Sequence, residues 1–279
     1  MTQTGEILLD SMRLGGGNAL FLIAGPCVIE SEAHARIMAE RVARIAADAG
    51  IPYIFKASYD KANRSSVNAF RGPGLAEGLK ILGKIKSELR VPILTDIHEA
   101  SHAIPAAEVA DVLQIPAFLA RQTDLLVAAG KTGSIVNVKK PQFVSPADMK
   151  NVVEKIASTG NKRIILTERG SSFGYQNLVV DFRGIPMMKK FGHPVVFDAT
   201  HSVQLPGGQG HASGGQPEFI EPLARAAVAS GVDGLFLETH DNPAEALSDG
   251  ANALPLAQLP TLLLRMKELS ALVRGWGSA

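Results

Sequence analysis

Eight short apolar runs recur along the chain, and each of them ends in polar residues. An apolar run of this length, bounded by turn residues and rich in Val, Ile and Phe, is typical of a strand that is buried on both faces. We therefore predict strands over residues 19–28, 52–60, 92–99, 112–120, 134–141, 163–170, 195–203 and 234–243.

Helical patterns of apolar residues lie between these runs. One stripe over residues 38–45 is closed by Gly50, which is typical of a helix C-terminus. Ser145 and Pro146 stand where an N-cap and a first helical residue would precede another stripe. A last helix is expected over residues 257–273.

Strand followed by helix, repeated eight times in about 250 residues, predicts an α/β fold of the (β/α)8 TIM-barrel class. A doubly wound sheet is the main alternative, but no glycine-rich dinucleotide motif follows the first run. We expect one domain over residues 1–279, with residues 1–18 forming a short N-terminal cap over the barrel floor. The glycine-rich segment 205–217 is interpreted as a mobile active-site loop, with a plain surface loop as the alternative.

Composition and charge limit the kinds of partner. The chain of 279 residues is 46% hydrophobic and 20% charged, with 28 Lys and Arg against 27 Asp and Glu. This near-balance argues against a nucleic-acid or membrane-surface partner, since both favour a basic excess. The single cysteine, Cys27, excludes an internal disulfide and is typical of a reducing cytosol, so we predict a cytoplasmic protein. We find neither a signal peptide nor an apolar stretch long enough for a membrane span.

Polar residues cluster where the predicted strands end. The carboxyl ends of the strands of a (β/α)8 barrel converge on one mouth, where active sites lie. Because side chains alternate along a strand, Lys56 and Ser58 share one face, as do Asn137 and Lys139. These residues are therefore expected to point toward the mouth.

Four cations stand among these polar residues and are expected to face one cavity. They are Lys56, Lys61, Lys139 and Arg169. Buried lysines and arginines need anionic partners, so the group predicts a multiply anionic ligand such as a phosphorylated carboxylate. The alternative pairs each cation with a carboxylate of the barrel itself, such as Asp96, Glu168 or Asp198.

A second group of strand-end residues has the chemistry of a metal site. It consists of Cys27, His201, Glu238 and Asp249, from strands one, seven and eight and the loop beyond. A thiolate, an imidazole and two carboxylates suit a borderline divalent ion such as Zn, Fe or Mn. The alternative is that Cys27 acts as a small hydrophobe and His201 as a hydrogen-bonded core residue.

Several longer segments resemble those of one enzyme family. They are KANRSS (61–66), FRGPGL (70–75), LTDIHE (94–99), LQIPAFLARQTDLL (113–126), NVKKPQFVSP (137–146), ERGSSFGYQNLVVD (168–181), FDATHSVQLPGG (197–208) and ETHDNPAEALSDGANALPL (238–256). With these segments the whole chain resembles the 3-deoxy-D-manno-octulosonate 8-phosphate synthase family. The resemblance implies a transferase that condenses phosphoenolpyruvate with D-arabinose 5-phosphate and water. The implied products are the octulosonate 8-phosphate of lipopolysaccharide biosynthesis and inorganic phosphate.

The resemblance also implies roles for particular residues. A metal-independent branch of the family carries Asn where this chain has Cys27, so the segment AGPCVIES (24–31) is similar to the metal-dependent branch. The implied ligands of a divalent metal ion are the same four residues, Cys27, His201, Glu238 and Asp249. Cys27 and His201 join Lys61 and Lys139 as the implied catalytic residues.

The implied substrate contacts fall on two further sets of residues. Phosphoenolpyruvate contacts map onto Lys56, Ser58, Lys61, Gln114, Lys139 and Arg169. Pentose phosphate contacts map onto Asn63, Arg64 and Ser65, with Arg121 reaching in from a neighbouring subunit of an implied homotetramer. Gln216 and Pro217 depart from the family pattern, which often has a basic residue there, so no charged role is expected for that part of the loop.

Two alternatives to this function stay open at the level of sequence. The related heptulosonate 7-phosphate synthases use erythrose 4-phosphate as the acceptor, but typically carry a KPRTS-like run in place of KANRSS. A non-catalytic sugar-phosphate or metal-binding barrel would be expected to have lost a ligand or a donor-site lysine, and the chain retains them all.

Overall fold

The predicted strands form a closed parallel barrel in the computed structural model, which describes residues 4–64, 66–207 and 214–276. In chain order the barrel strands β1–β8 are Phe21–Gly25, Tyr53–Lys56, Ile93–Asp96, Val112–Ile115, Ile135–Lys139, Ile164–Glu168, Val195–Asp198 and Gly234–His240. Each strand pairs in parallel with the next, and β8 pairs with both β7 and β1. The prediction of a (β/α)8 barrel is therefore confirmed.

A helix follows every barrel strand. In chain order α1–α8 are Glu32–Ala49, Leu75–Leu89, Ala103–Ala107, Thr123–Lys131, Met149–Ala157, Gly184–Lys189, Ile220–Ala229 and Leu259–Trp276. As predicted, α1 ends at Gly50, whose φ of 63° is left-handed and favours glycine. Within the described ranges, no helix has the length and apolarity needed to cross a membrane.

Several predicted boundaries were wrong. Strand β4 stops at Ile115, five residues before the predicted end, because Pro116 offers no N–H to continue the ladder. Helix α5 starts at Met149 rather than at Pro146, because residues 146–148 form a tighter turn with i to i+3 hydrogen bonds, although Ser145 accepts the Asp148 N–H as an N-cap residue does. The predicted mobile loop is described only at its flanks, where Gln204–Leu205 pairs with Gly214–Gly215, and residues 208–213 lie outside the described ranges.

Two apolar layers result from the alternation of side chains along the strands. One set points outward against the helices. The other fills the barrel and comprises Phe21, Ile23, Ile54, Leu94, Val112, Ile135, Ile165, Val196 and Phe236. Because the interior is packed with side chains, a ligand site is confined to the ends of the barrel.

The N-terminal segment closes one of these ends. Strands Glu6–Leu9 and Met12–Gly15 form an antiparallel hairpin, and its residues Ile7, Leu9 and Leu14 pack into the same cluster as the barrel interior. The side chain of Thr4 donates a hydrogen bond to Asp233, directly before β8. The hairpin therefore covers the floor, as predicted, and leaves the carboxyl ends of the strands open.

Strand β1 approaches β2 closely at Gly25. A Cβ at this position would lie 2.0 Å from the main-chain oxygen of Lys56, a distance that no side chain tolerates. Glycine thus lets the segment that carries Cys27 run against the end of β2.

If the hairpin is part of the barrel core, Leu14→Ala will lower the free energy of unfolding by about 2–5 kcal/mol, since it leaves a cavity in a packed cluster. Leu8 lies in the same hairpin but is 59% exposed, whereas Leu14 is fully buried. Urea unfolding of Leu8→Ala is the matched control and should change little. Equal losses for the two variants would contradict this role of the hairpin.

Candidate active site

The carboxyl ends of the barrel strands surround a cavity of about 820 Å³. Its charged and imidazole lining residues are Lys61, Arg64, Asp96, His98, Lys139, Arg169, His201, Glu238 and Asp249. The predicted convergence of strand-end residues on one mouth is therefore observed. Cations and carboxylates are interleaved around this cavity, so they can pair with one another.

Lys56 and Ser58 point inward, as alternation along β2 predicts, but lie beneath the cavity lining. Lys56 is fully buried and donates hydrogen bonds to the main-chain oxygen of Cys27 at 2.8 Å and to Glu238 Oε1 at 2.5 Å. The Ser58 hydroxyl donates to Asp96. Both residues therefore support side chains that line the cavity, namely Glu238 and Asp96.

Lys61 lies above this layer, between two carboxylates. Its Nζ is 3.7 Å from Asp96 Oδ2 and 3.6 Å from Glu238 Oε1. Burial alone would lower the pKa of Lys61, but the neighbouring Cys27 side chain and the carboxylates of Glu238 and Asp96 hold that pKa well above its usual value. Lys61 is consequently a permanent cation at the cavity wall.

Lys139 occupies the opposite wall. Its ammonium group donates to Asp198, lies 3.3 Å from the centroid of the Phe236 ring, and is 3.5 Å from His201 Nδ1. Burial lowers the pKa of Lys139, although the Asp198 carboxylate opposes this effect. The position combines an ion pair with a cation–π contact, which fixes the ammonium group facing the cavity.

Arg169 differs from the buried lysines. It is only 4% exposed, and its Nη2 donates to Gln204 Oε1 at 3.1 Å. Within the part of the chain that the structure describes, Nη1 has no hydrogen-bond partner and the guanidinium has no ion pair. A buried donor without an acceptor is costly, so this group indicates an anionic ligand in the cavity.

The sequence left two explanations for the buried cations, an anionic ligand and pairing with carboxylates of the barrel. Each explanation applies to different residues. Internal carboxylates partner Lys56 and Lys139 directly, through Glu238 and Asp198, as the alternative supposed. Internal pairing does not account for Arg169, whose Nη1 has no acceptor among the described residues.

An ion pair that sequence reasoning missed holds the turn after β6. Glu168 Oε1 accepts the main-chain N–H of Arg169 at 2.9 Å and that of Gly170 at 2.7 Å. On the side away from the cavity, Lys140 lies 3.5 Å from the same oxygen and donates to the Gly170 carbonyl at 3.1 Å. The pair thereby fixes the backbone that carries Arg169. The adjacent lysines 139 and 140 gave the signal, since alternation places only one of them inside.

Three of the four predicted metal ligands lie together. Ligand atoms of Cys27, Glu238 and Asp249 are all within 4.8 Å of one another, and Cys27 Sγ lies 3.2 Å from Asp249 Oδ2. Burial raises the pKa of the Cys27 thiol, and the carboxylates of Asp249 and Glu238 raise it further. Ser248, which the sequence did not single out, lies 2.7 Å from the same sulfur.

His201, the fourth predicted ligand, adjoins this group through Glu238. Its Nε2 is 3.6 Å from Glu238 Oε2, a buried oxygen without a hydrogen-bond partner among the described residues. On the other side of the ring, Nδ1 lies 2.7 Å from Asp198 Oδ2, so a carboxylate orients the imidazole. The orphaned oxygen, the thiol and the oriented imidazole fit a divalent transition-metal ion.

The predicted acceptor residues occupy another part of the cavity wall. Asn63 and Arg64 both line the cavity, and Arg64 Nη1 is 3.7 Å from Asp249 Oδ1. Ser65 lies outside the described residues. Gln114 is buried in the wall, donates to Asp96 and accepts from Asn137 at 2.8 Å. Arg121 is exposed and does not border the cavity of its own chain.

Comparison with known proteins places this architecture in a family. The family model described as the DAHP synthetase I family matches residues 3–274. The chain belongs to the DAHP synthetase I family. Its curated relatives include proteins named 2-dehydro-3-deoxyphosphooctonate aldolase from three bacteria.

The relative from Trichlorobacter lovleyi is 63% identical over 271 residues, which are 97% of this chain and 100% of that protein. Those from Geobacter metallireducens and Pelobacter propionicus are 62% and 59% identical, again over 97% of this chain and 100% of theirs. The resemblance inferred from the sequence motifs is thus confirmed across the full length of the relatives.

The buried pair behind Arg169 can be tested by Lys140→Met. This change leaves the buried Glu168 carboxylate without its cation, so we expect the free energy of unfolding to fall by about 3–5 kcal/mol. Lys150→Met is the control, because Lys150 forms an exposed helical pair with Glu154 and should lose less than about 1 kcal/mol. Similar denaturant midpoints for the two variants would show that the buried pair does not support the turn.

Proposed function

We propose that the protein condenses phosphoenolpyruvate with D-arabinose 5-phosphate and water to give 3-deoxy-D-manno-octulosonate 8-phosphate and phosphate. The observation that carries this proposal is Arg169, a buried guanidinium whose Nη1 has no acceptor within the described ranges and which lines a cavity together with Lys61 and Lys139. Such a wall suits a small ligand bearing both a phosphate and a carboxylate. The names and the full-length identity of the relatives support the choice of reaction.

The proposed roles of the cations follow from their positions. Arg169 offers two donors in a planar fork, which suits the phosphate or the carboxylate of phosphoenolpyruvate. Lys61 and Lys139 lie on opposite walls and neutralise the rest of its charge. Held in this way, phosphoenolpyruvate presents C3 to the aldehyde of the second substrate, and this orientation supplies part of the rate acceleration.

The proposed chemistry forms two bonds and breaks one. C3 of phosphoenolpyruvate attacks the aldehyde carbon of arabinose 5-phosphate, and the aldehyde oxygen takes up a proton. Water then adds to C2, which has become electrophilic. As the C2–O bond to phosphate breaks, one of the water protons goes to the departing phosphate and the other balances the proton taken up by the aldehyde oxygen. Inorganic phosphate leaves and C2 becomes the keto carbon. The same cations that bind the donor remain beside the departing phosphate.

We further propose that Cys27, His201, Glu238 and Asp249 hold a divalent ion, of Zn, Fe or Mn. When bound, such an ion supplies Lewis-acid polarisation of the aldehyde oxygen or of the attacking water. The chain prepares two of these ligands, Glu238 and His201, in advance. Burial alone would raise the pKa of Glu238, but Lys56, His201 and Lys61 hold it well below its usual range, so this carboxylate is ionised. Asp198 fixes the imidazole of His201.

The acceptor phosphate is assigned to Asn63, Arg64 and Ser65, with Arg121 supplied by a neighbouring subunit. Arg121 is exposed and does not border the cavity of its own chain, so in this proposal it acts at the site of a neighbouring chain. Large apolar side chains are exposed on the loops after β4, β5 and β6, where they favour contacts between subunits. They include Phe118, Phe143, Phe173 and Tyr175. We therefore propose a homotetramer that acts in the cytoplasm, in lipopolysaccharide biosynthesis.

The heptulosonate 7-phosphate synthase reaction is the second candidate, because the family description itself names a DAHP synthetase. Relatives of 58–63% identity nevertheless carry the octonate aldolase name. The acceptor segment KANRSS also departs from the KPRTS-like run that is typical of the heptulosonate enzymes. Both observations favour the five-carbon acceptor.

The choice of acceptor can be measured by phosphate release from phosphoenolpyruvate. We expect kcat/KM for arabinose 5-phosphate to exceed that for erythrose 4-phosphate by at least about tenfold, since polar contacts to the longer sugar would be left unpaired by the shorter one. Parallel assays with a chelator, and with added Mn²⁺ or Zn²⁺, report the metal requirement. Equal or faster turnover of erythrose 4-phosphate would contradict the proposed function.

Arg169→Ala tests the donor site. Loss of a charge-assisted hydrogen bond is worth about 1.5–3 kcal/mol, so kcat/KM for phosphoenolpyruvate should fall by about 10- to 150-fold. Arg183→Ala is the matched control, since Arg183 is an exposed arginine paired with Asp181. An unchanged kcat/KM for phosphoenolpyruvate in Arg169→Ala would remove this residue from the site.

Cys27→Ala tests the metal ligands. We expect bound metal and activity to be lost together while the circular dichroism spectrum is unchanged, because the alanine replaces a small side chain at a ligand position. Metal content is measured on the purified protein by elemental analysis. Full activity of the unmodified protein in a strong chelator would overturn the metal assignment.

A further inference from the structure

A second group of metal-ligating side chains lies beside the active site but outside its cavity lining. It comprises Glu30, between β1 and α1, His34 in the first turn of α1, and His240 at the end of β8. One ligand atom from each residue lies within 4.8 Å of the other two. None of the three borders the cavity in the described ranges, and none has a role in the function proposed above.

Two ring nitrogens of this group are buried without a hydrogen-bond partner among the described residues. They are His34 Nδ1 and His240 Nε2, and the His240 side chain belongs to a residue only 6% exposed. Both nitrogens face the same carboxylate. His240 Nε2 is 3.3 Å from Glu30 Oε1, and His34 Nδ1 is 3.9 Å from Glu30 Oε2. The three groups thus converge on one point.

The far side of both rings meets another carboxylate. Asp241 Oδ1 lies 3.1 Å from His34 Nε2 and 3.3 Å from His240 Nδ1. Histidine ligands commonly donate their second N–H to a carboxylate, which directs the remaining lone pair toward the metal. His34 has this arrangement, because its Nε2 pairs with Asp241 and its Nδ1 lies toward Glu30. Binding of an ion at His240 Nε2 requires the proton of that ring on Nδ1, which lies 3.3 Å from Asp241 Oδ1. In this arrangement the His240 Nδ1–H replaces the contact in which Nδ1 accepts the Asn242 N–H at 3.0 Å.

We propose that Glu30, His34 and His240 bind a second divalent transition-metal ion of the zinc class. Two imidazoles and a carboxylate form a ligand set that zinc favours, whereas magnesium and calcium prefer oxygen ligands alone. The carboxylates of Glu30 and Asp241 match the two charges of the ion. Packing of the two imidazole rings alone does not account for this arrangement. The rings are tilted, with centroids 4.6 Å apart, and this contact provides no hydrogen-bond partner for either buried nitrogen.

The site is tied to the loop that carries Asp249. Glu30 Oε1 also accepts the main-chain N–H of Leu247 at 2.8 Å, directly before Ser248 and Asp249. An ion held by Glu30 would therefore fix the side chain that positions the loop of Asp249. The second cluster and the Cys27 cluster are thus linked through this loop, but they have no ligand in common.

Metal counting on the whole, metal-stripped protein tests the proposal. Zn²⁺ bound per chain is measured by equilibrium dialysis, and Co²⁺ is added separately because a cobalt–thiolate bond has its own near-ultraviolet absorption. His34→Gln and Glu30→Gln should each bind one ion fewer per chain than the unmodified protein. The Cys27-dependent absorption should not change. Asp241→Asn should keep the site but weaken it by about 10- to 100-fold.

His193→Gln is the matched control, since His193 precedes β7 at the other end of the barrel and belongs to neither cluster. Equal zinc stoichiometry in His34→Gln, Glu30→Gln and this control, with circular dichroism unchanged, would overturn the proposal. Failure of the proposed function has a different signature. If the Cys27 site binds no metal, the cobalt–thiolate absorption will be missing from the unmodified protein, while His34→Gln will still bind one ion fewer than the unmodified protein.

Discussion

The buried ion pair of Lys56 and Glu238 is the interaction on which the site depends. Neither side chain reaches solvent, and Lys56 also donates to the main chain of Cys27. Burial of two charges is costly unless their geometry is good and further hydrogen bonds complete it. Lys56 and Lys61 both contact Oε1 of Glu238, so its Oε2 is left facing His201. A single carboxylate thereby joins the cation wall to the proposed metal ligands.

The other charges of the mouth follow the same logic of pairing. Asp198 contacts both Lys139 and His201, so it holds a cavity cation and orients an imidazole at once. Burial alone would raise the pKa of Asp198, but these two neighbours keep it well below its usual range. Lys56 and Lys139 donate to Glu238 and Asp198, and these pairs give the cavity a fixed field. Arg169 differs, since its Nη1 has no acceptor among the described residues, and an anionic ligand would supply one.

Much of this arrangement could be predicted from the sequence, because in a parallel barrel the order of the strands and the alternation of side chains along them determine which residues reach the mouth. Strand-end residues must meet at one mouth, so Cys27 and Asp249 were expected together although 222 positions separate them. The rest depends on loops. Alternation along β5 turns Lys140 outward, but only the turn after β6 decides that it meets Glu168. Ser248 reaches the thiol through the path of a loop, which no periodicity encodes.

The Glu30, His34 and His240 group escaped the sequence reasoning for a related reason. Its residues come from a loop, a helix start and a strand end, and the resemblance assigned a role to none of them. His240 follows Glu238 by two positions, so alternation places both side chains on the same face of β8, which also continues past the barrel to pair with Leu254–Pro255. Beyond the barrel that face meets α1 in place of the cavity. Strand β8 therefore contributes Glu238 to the proposed active-site metal ligands and His240 to the second cluster, because it extends beyond the barrel.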